Sequence, residues 1–220
     1  MPPHSGGMEI NVKNLIIAGA GGFGRETAWL TERINKKNPE WNLLGFIDDR
    51  AELKGSLVNG YKIIGTTDDA KSYPDAYFVC AIGASRVRKT VAERIKSKVP
   101  NVKFATLIDP DAIVSDKIEI SEGSIICAGS VMTVNIFLGR HVIVNINCTV
   151  GHDAVLKDYV MLYPGAGISG AVQLGECTEM GTGSRIIQGK TIGNGTIVGA
   201  GAVVIHDLPD NCTAVGVPAK

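Results

Sequence analysis

The sequence predicts two domains, a small α/β domain followed by an all-β domain built as a parallel β-helix. Residues 15–108 alternate short apolar runs with segments of helical spacing, which is typical of a parallel sheet covered by helices. From Val114 to Val204 an apolar residue then stands at every sixth position, sixteen in succession. A period of six fits neither an α-helix nor an amphipathic strand, and hexapeptide repeats wind into parallel β-helices.

The first domain, residues 9–108, is predicted to be a Rossmann-like half-domain. The predicted strands are 15–18, 43–47, 77–82 and 102–108, and the predicted helices are 25–36 and 85–98. Ser85 is expected to cap the second helix. About 100 residues is short for a full dinucleotide-binding fold, which favours a mononucleotide-type ligand.

The segment between the first strand and the first helix reads Gly-Ala-Gly-Gly-Phe-Gly over residues 19–24. This G-x-G-x-x-G pattern lets the backbone approach a diphosphate at a helix N-terminus. Asp48 and Asp49 end the second strand, where an acidic residue commonly meets a ribose or a sugar. The loop alone does not separate NAD from other nucleotides, and a turn used only for packing is the alternative.

The second domain, residues 109–220, is predicted to consist of hexads, three to a coil, so that residues 18 apart stack. The sixteen apolar positions should face inward and form the core, and none of them should be catalytic. Gly, Asn, Asp and Ser are expected at the corners, where the backbone needs open conformations.

Among the four histidines, His152 has the most suggestive surroundings. It follows Gly151 at a corner and precedes Asp153. A neighbouring carboxylate favours the imidazolium form and fixes the ring tautomer, as a general base requires. His141 and His206 are interpreted as solvated corner residues.

Gly170 lies one coil after His152, and Ala171 one coil after Asp153. Both residues are small, so a hollow is expected beside the histidine. There the Gly170 N–H would act as an oxyanion donor to a thioester carbonyl.

The composition excludes several classes of partner. The chain has 22 basic and 22 acidic residues in 220, for a net charge of +0, which argues against nucleic acid and anionic membranes. It shows neither a run of about 18 apolar residues nor a signal peptide, and its five cysteines form no CxxC pair. We therefore expect reduced thiols and a cytoplasmic location. Residues 1–8 are interpreted as a leader or a disordered end, and no metal site is predicted.

The repeat, the Gly-His-Asp corner and residues 199–204 and 216–220 resemble hexapeptide-repeat acyltransferases of left-handed β-helix fold. Together with the small first domain, they resemble the nucleotide-sugar acetyltransferases typified by PglD, NeuD and PerB. The resemblance covers nearly the whole chain after Met8. It implies acetyl-CoA as co-substrate and a homotrimer with active sites between neighbouring β-helices.

The resemblance also implies roles for single residues. His152 would be the general base, Asp153 the group that raises its basicity, and Gly170 the amide that faces the thioester carbonyl. The nucleotide-sugar-binding residues implied are Gly21, Gly22, Phe23, Asp48, Asp49, Gly83 and Arg86. The acetyl-CoA-binding residues implied are Met161, Gly170, Thr182 and Ala200. Phe23 and Met161 stand where relatives commonly have His, so altered contacts are expected there.

These features predict an acetyltransferase that moves acetyl from acetyl-CoA to the amino group of a nucleotide-linked amino-sugar. A UDP-linked 4-amino-sugar for a surface glycan is the expected acceptor. Three alternatives stay open. They are O-acetylation of a sugar such as sialic acid, an NAD(P)-binding protein with a structural β-helix, and a non-catalytic scaffold.

Overall fold

The computed structural model describes residues 12–220, so the predicted leader lies outside the described residues. The first domain contains β1 (Lys13–Ala18), α1 (Gly22–Lys37), β2 (Trp41–Ile47), β3 (Leu57–Val58), β4 (Tyr61–Gly65), β5 (Tyr77–Cys80), α2 (Ser85–Lys98) and β6 (Lys103–Phe104). Its sheet has the order β3-β4-β2-β1-β5-β6. All neighbours are parallel except β3 and β4. No helix within residues 12–220 is long and apolar enough to cross a membrane.

The structure corrects two local predictions in this domain. Ser85 is the first residue of α2 rather than its cap, and its buried hydroxyl has no hydrogen-bond partner among the described residues. The predicted strand 102–108 is two strands, because the chain leaves the sheet after Phe104. The next strand, β7 (Leu107–Ile108), pairs with the β-helix instead. The second domain thus begins at Leu107, two residues before the predicted boundary.

Residues 107–220 wind into a parallel β-helix of short strands. After β7 these are β8 (Ile113–Val114), β9 (Ile118–Ile120), β10 (Ile125–Ile126), β11 (Val131–Met132), β12 (Ile136–Leu138), β13 (Ile143–Val144), β14 (Thr149–Val150), β15 (Val155–Leu156), β16 (Met161–Leu162), β17 (Gly167–Ile168), β18 (Gln173–Leu174), β19 (Glu179–Met180), β20 (Arg185–Ile186), β21 (Thr191–Ile192), β22 (Ile197–Val198), β23 (Val203–Val204) and β24 (Thr213–Ala214).

These strands form three parallel sheets, which are the faces of a triangular prism. Face 1 contains β7, β10, β13, β16, β19, β22 and β24; face 2 contains β8, β11, β14, β17, β20 and β23; face 3 contains β9, β12, β15, β18 and β21. Ile125 pairs with Ile143, and Ile143 with Met161, so stacked residues are 18 apart as predicted.

The predicted apolar column forms the core of the prism. Its members from Ile126 to Val204 are at most 2% exposed, while Val114 and Ile120 at the open first coil are partly buried. The 18-residue distance between stacked residues changes only in the last coil. There Ile197 pairs with Thr213, so this coil is two residues shorter than the others. The column ends at Val204 for this reason.

The first domain covers face 1 from β7 to β19. Leu107, Ile125, Ile143 and Met161 are the outward residues of successive face 1 strands, and each is at most 1% exposed. They share one apolar cluster with Leu15 and other core residues of the first domain. Burial of this surface fixes the two domains against each other.

Arg88 of α2 joins the two domains through a buried guanidinium that is 0% exposed. It donates to the Ile82 and Gly83 carbonyls of the first domain at 2.6 and 2.9 Å. It also donates to the β-helix carbonyls of His141, Tyr159 and Val160 at 3.0, 2.7 and 3.2 Å. Burial lowers the pKa of Arg88 to about 10. The planar guanidinium donates to all five carbonyls at once. Of these, the Val160 carbonyl also accepts the Ile143 N–H, at 3.0 Å.

The prediction that His141 is solvated is wrong. Its ring is 3% exposed and stacks on Tyr159 at 5.1 Å, with the Phe104 ring edge-on at 4.5 Å. Burial beside Arg88 lowers the pKa of His141 to about 4. The reason is that α2 covers this corner of the prism, which the repeat alone does not reveal. His206 is exposed, as predicted.

Candidate active site

His152 and Asp153 form a hydrogen-bonded dyad at the corner between β14 of face 2 and β15 of face 3. His152 Nδ1 lies 2.7 Å from Asp153 Oδ2, and the two side chains are 64% and 54% exposed. Adjacent residues meet because Asp153 takes φ = 59°, which turns the chain at the corner. With Nδ1 on the carboxylate, Nε2 is the nitrogen left to accept a proton from another group.

Asn135 completes this arrangement, and sequence reasoning did not single it out. Its Nδ2 donates to Asp153 Oδ1 at 3.1 Å. The hydrogen bonds from His152 and then Asn135 lower the pKa of Asp153. Asn135 stands 18 residues before Asp153, so the coil spacing was the signal that would have found it.

The hollow predicted beside His152 is filled by the imidazole itself. A Cβ added at Gly170 would lie 2.5 Å from His152 Nε2 and 2.6 Å from Cε1. The absence of a side chain at Gly170 thus leaves room for the ring against the next coil. His152, Asp153 and Gly170 are brought together, as the coil arithmetic predicts.

Gly170 is buried, and its backbone packs closely against Gly151. A Cβ at Gly151 would lie 2.6 Å from Gly170 N. Within residues 12–220 the Gly170 N–H donates no hydrogen bond, while the Gly170 carbonyl accepts one from Gly189. A free amide beside a potential base is the geometry of an oxyanion donor.

Replacing Gly170 by Ala should test this packing. If His152 acts as the general base, we expect kcat to fall roughly 10- to 100-fold, because displacement of such a group costs rate steeply. Stability should change little, since the clash is with the end of an exposed side chain. In the His152→Ala background, Gly170→Ala should cost nothing further, and thermal melts with steady-state kinetics on all four proteins measure this. An equal loss of kcat in both backgrounds would show that the loss does not come from a clash with the His152 ring.

A second concave site lies in the first domain at the carboxyl ends of β1, β2 and β5. It is a cleft of about 380 Å³ lined by Gly21, Gly22, Phe23, Asp48, Asp49 and Gly83, with Val87, Val91 and others. The N-terminus of α1 opens onto it, and Gly21 caps this end without a side-chain hydrogen bond. Such a helix end with free amides suits a diphosphate.

The positions of this loop require glycine for different reasons. A Cβ at Gly24 would overlap the Gly19 carbonyl, so packing requires glycine there. A Cβ at Gly21 would meet no atom within 4 Å. Packing therefore leaves Gly21 unexplained, whereas close approach of a ligand to the backbone explains it.

The two aspartates of the cleft are already engaged. Asp48 accepts the Ala20 N–H at 2.9 Å and forms two side-chain hydrogen bonds with Arg50, both at 2.8 Å. The hydrogen bonds with Arg50 are the main cause that lowers the pKa of Asp48 to about 2, although burial opposes this shift. Asp49 accepts from Thr67 N at 2.9 Å and from Arg94 at 3.0 Å. Asp48 thus fixes the glycine loop and holds Arg50 at the rim of the cleft. The sequence did not suggest Arg50 as a site residue.

The loop after β5 is docked on face 1. The Ser85 N–H donates to Glu179 Oε1 at 2.7 Å, and the Tyr163 hydroxyl donates to Glu179 Oε2 at 3.1 Å. A Cβ at Gly83 would lie 3.6 Å from that hydroxyl. Face 1 therefore supports one wall of the cleft.

Two predicted binding residues are placed elsewhere by the structure. Arg86 points away from the cleft and donates to the Gly195 carbonyl and to Asn211 Oδ1, at 3.2 and 2.7 Å. Met161 is 1% exposed in the cluster between the domains. Its outward position on face 1 is covered by the first domain, so no surface remains for acetyl-CoA.

Thr182 and Ala200 are exposed and stack at the corner between faces 1 and 2. The Gly201 N–H donates to the Thr182 carbonyl at 2.8 Å across the two coils. They lie across face 2 from His152, so one chain does not bring them to the dyad.

Residues 14–95 match the family model described as PglD N-terminal domain. Over 211 residues the chain is 35% identical to a GDP-perosamine N-acetyltransferase from Escherichia coli O157:H7, which covers 93% of this chain and 94% of the relative. It is similar to the acetyltransferase domain of PglB from Neisseria gonorrhoeae FA1090 in complex with acetyl coenzyme A, with a TM-score of 0.84, 36% identity and coverage of 95% and 98%.

The structure is also similar to PerB from Caulobacter crescentus in complex with CoA and GDP-perosamine. The TM-score is 0.85 at 29% identity, over 95% of this chain and 97% of that chain. These similarities extend across both domains and their relative placement. The chain belongs to the PglD- and PerB-like family of hexapeptide-repeat sugar N-acetyltransferases, which are acetyl-CoA-dependent enzymes with a Rossmann-like domain and a left-handed β-helix.

Proposed function

We propose that this enzyme transfers acetyl from acetyl-CoA to the amino group of a nucleoside-diphosphate amino-sugar, with His152 as general base. The observation that supports this most is the dyad of His152 and Asp153 packed against Gly170, whose N–H has no hydrogen-bond partner among the described residues. The same chain presents a diphosphate-type cleft at the N-terminus of α1. A base, an oxyanion donor and a nucleotide cleft together match acetylation of a nucleotide-linked amine.

In the proposed reaction the neutral amine attacks the thioester carbonyl and forms the new N–C bond. His152 Nε2 accepts the amine proton, while Asp153 holds Nδ1 and fixes the tautomer. The Gly170 N–H donates to the oxyanion of the tetrahedral intermediate. The C–S bond then breaks, and the proton on His152 passes to the departing thiolate to give CoA. No covalent enzyme intermediate is needed.

The placement of the two sites supports catalysis between subunits. The first domain covers face 1, while the dyad stands at the corner between faces 2 and 3. In a three-faced prism that corner is opposite face 1. A sugar held in the cleft of one chain would therefore reach the His152 of a neighbouring chain more readily than its own. We propose a homotrimer, in which Thr182 and Ala200 of a neighbouring β-helix line the acetyl-CoA channel.

The nucleotide of the acceptor stays open between two candidates. A UDP-linked 4-amino-sugar is the acceptor predicted from the sequence, whereas a relative that covers 93% of this chain is named for GDP-perosamine. Phe23 lies in the glycine loop beside the cleft, so it is the residue through which the loop would influence this choice.

The proposal is tested by release of free CoA thiol with a panel of acceptors. The panel holds UDP- and GDP-linked amino-sugars, the matching hydroxy-sugars and the free sugars without nucleotide. We expect turnover with a nucleotide-linked amine and no turnover with the others. Turnover of hydroxy-sugars alone would show that the acceptor group is a hydroxyl and not an amine. Binding of NAD with no thiol release from any acceptor would overturn the proposal.

A further inference from the structure

Asn135 occupies the corner position one coil before Asp153. Both residues are in the left-handed region, with φ of 57° and 59°. The Asn135 amide donates to Asp153 Oδ1 while the other oxygen, Oδ2, meets His152 Nδ1. The carboxylate is therefore held at both oxygens, by two different coils of the prism.

A purely structural reason for Asn135 is that asparagine tolerates this backbone conformation better than most residues. The next coil argues against that reason as a full account. Ala171 adopts φ = 57° at the same corner without a polar side chain. The corner itself therefore does not require an amide, whereas the Asp153 carboxylate does use one.

The dyad needs outside support because it is exposed. An exposed ion pair is weak and its side chains sample several rotamers. A second donor on the far oxygen removes rotational freedom from the carboxylate, and through it from the imidazole. Charge-assisted hydrogen bonds of this kind are stronger than neutral ones.

We propose that Asn135 is a positioning residue for acetyl transfer, whose amide fixes the Asp153 carboxylate so that the His152 ring stays over Gly170. This inference rests on the proposed function, because it assigns Asn135 to the same proton transfer. Asn135 acts through Asp153 and does not touch the reacting atoms. The rest of this corner is Lys117 in the coil before Asn135 and Ala171 in the coil after Asp153.

The test uses two variants that both keep the corner conformation. Asn135→Gly removes the amide without backbone strain. Asn135→Asp keeps the shape but replaces the donor by a carboxylate, which raises the pKa of Asp153 by like-charge repulsion. Asn59 in the turn between β3 and β4, with φ = 48°, gives the matched controls Asn59→Gly and Asn59→Asp.

For Asn135→Gly we expect kcat about 10-fold lower, with both KM values and the melting temperature unchanged. For Asn135→Asp the loss should be larger, and the acidic limb of the pH profile of kcat should move to higher pH. The Asn59 variants should match the wild type in rate and in profile.

The outcomes separate this inference from the proposed function. If His152→Ala retains turnover, the proposed function fails and the role of Asn135 fails with it. If His152→Ala is inactive while both Asn135 variants keep the wild-type kcat and pH profile, only the role of Asn135 is overturned.

Discussion

His152→Ala is expected to lower kcat roughly 10²–10⁴-fold, because the attacking amine loses the group that accepts its proton. KM for acetyl-CoA and for the nucleotide sugar should change little, since the ring acts at the reacting nitrogen and not in substrate binding. The melting temperature should stay near that of the wild type, because the side chain is 64% exposed. Steady-state kinetics and thermal melts measure both expectations.

His206→Ala is the matched control, since His206 is exposed on the same β-helix and lies outside the proposed site. It should leave kcat unchanged. Retention of most activity by His152→Ala would remove the residue from the mechanism. If sites lie between subunits, co-assembly of His152→Ala with Gly21→Glu should restore activity that each variant lacks alone. A Cβ at Gly21 meets no atom within 4 Å, so the second variant should fold and only exclude the diphosphate.

Arg88→Met is expected to lower the free energy of unfolding by about 3 kcal/mol, because several buried carbonyls lose their donor at once. For a chain of this size that corresponds to a fall of roughly 10 °C in the melting temperature. KM for the nucleotide sugar should rise, because Arg88 holds the Ile82 and Gly83 carbonyls beside the cleft. KM for acetyl-CoA should not change.

Two further variants make the Arg88 experiment decisive. Arg88→Lys keeps the charge but loses the several donors of the guanidinium, so it should show the same effects in weaker form. It is the variant to measure if Arg88→Met does not fold. Lys98→Met, on the same helix, breaks only a pair with Asp68 whose two side chains are 40% and 54% exposed. That variant should lose less than about 1 kcal/mol. An Arg88→Met protein as stable as Lys98→Met would show that the domains do not depend on this contact.

The repeat makes the interior of the second domain predictable. Each column residue stands at the same inward position of its hexad, so the column from Ile126 to Val204 is buried as expected. The position two residues earlier, which holds Val142, Cys148 and Ala154 in successive hexads, belongs to the same core. The same spacing predicts that Gly170 lies against His152, as it does in the structure. Applied one coil earlier, it also places Asn135 against Asp153. In a repeat, the coil length predicts which residues far apart in the sequence are in contact.

Contacts between the two domains follow no such rule. Met161 and His141 are outward residues of the repeat, and the hexads alone would leave both in solvent. Docking of the first domain on face 1 buries Met161, and α2 buries His141. Arg88 and Arg86 lie two residues apart on α2, yet only Arg88 is fully buried. Arg88 lies on the buried stripe of α2 with Ser85, Ala92 and Ile95, whereas Arg86 lies off it. Helical spacing therefore separates the two arginines, but the β-helix carbonyls that Arg88 meets follow only from the docking of the domains.

The regular stacking of Ile125, Ile143 and Met161 has a consequence for how such chains change in length. One added residue would shift every later position and turn the apolar column toward solvent, whereas a full 18 would leave each face in register. Each such unit raises the prism by about 4.8 Å. Among the regular coils that precede the shortened last coil, viable insertions and deletions should therefore come in whole coils. The distance from the His152 corner to the far end of the prism then varies in discrete steps.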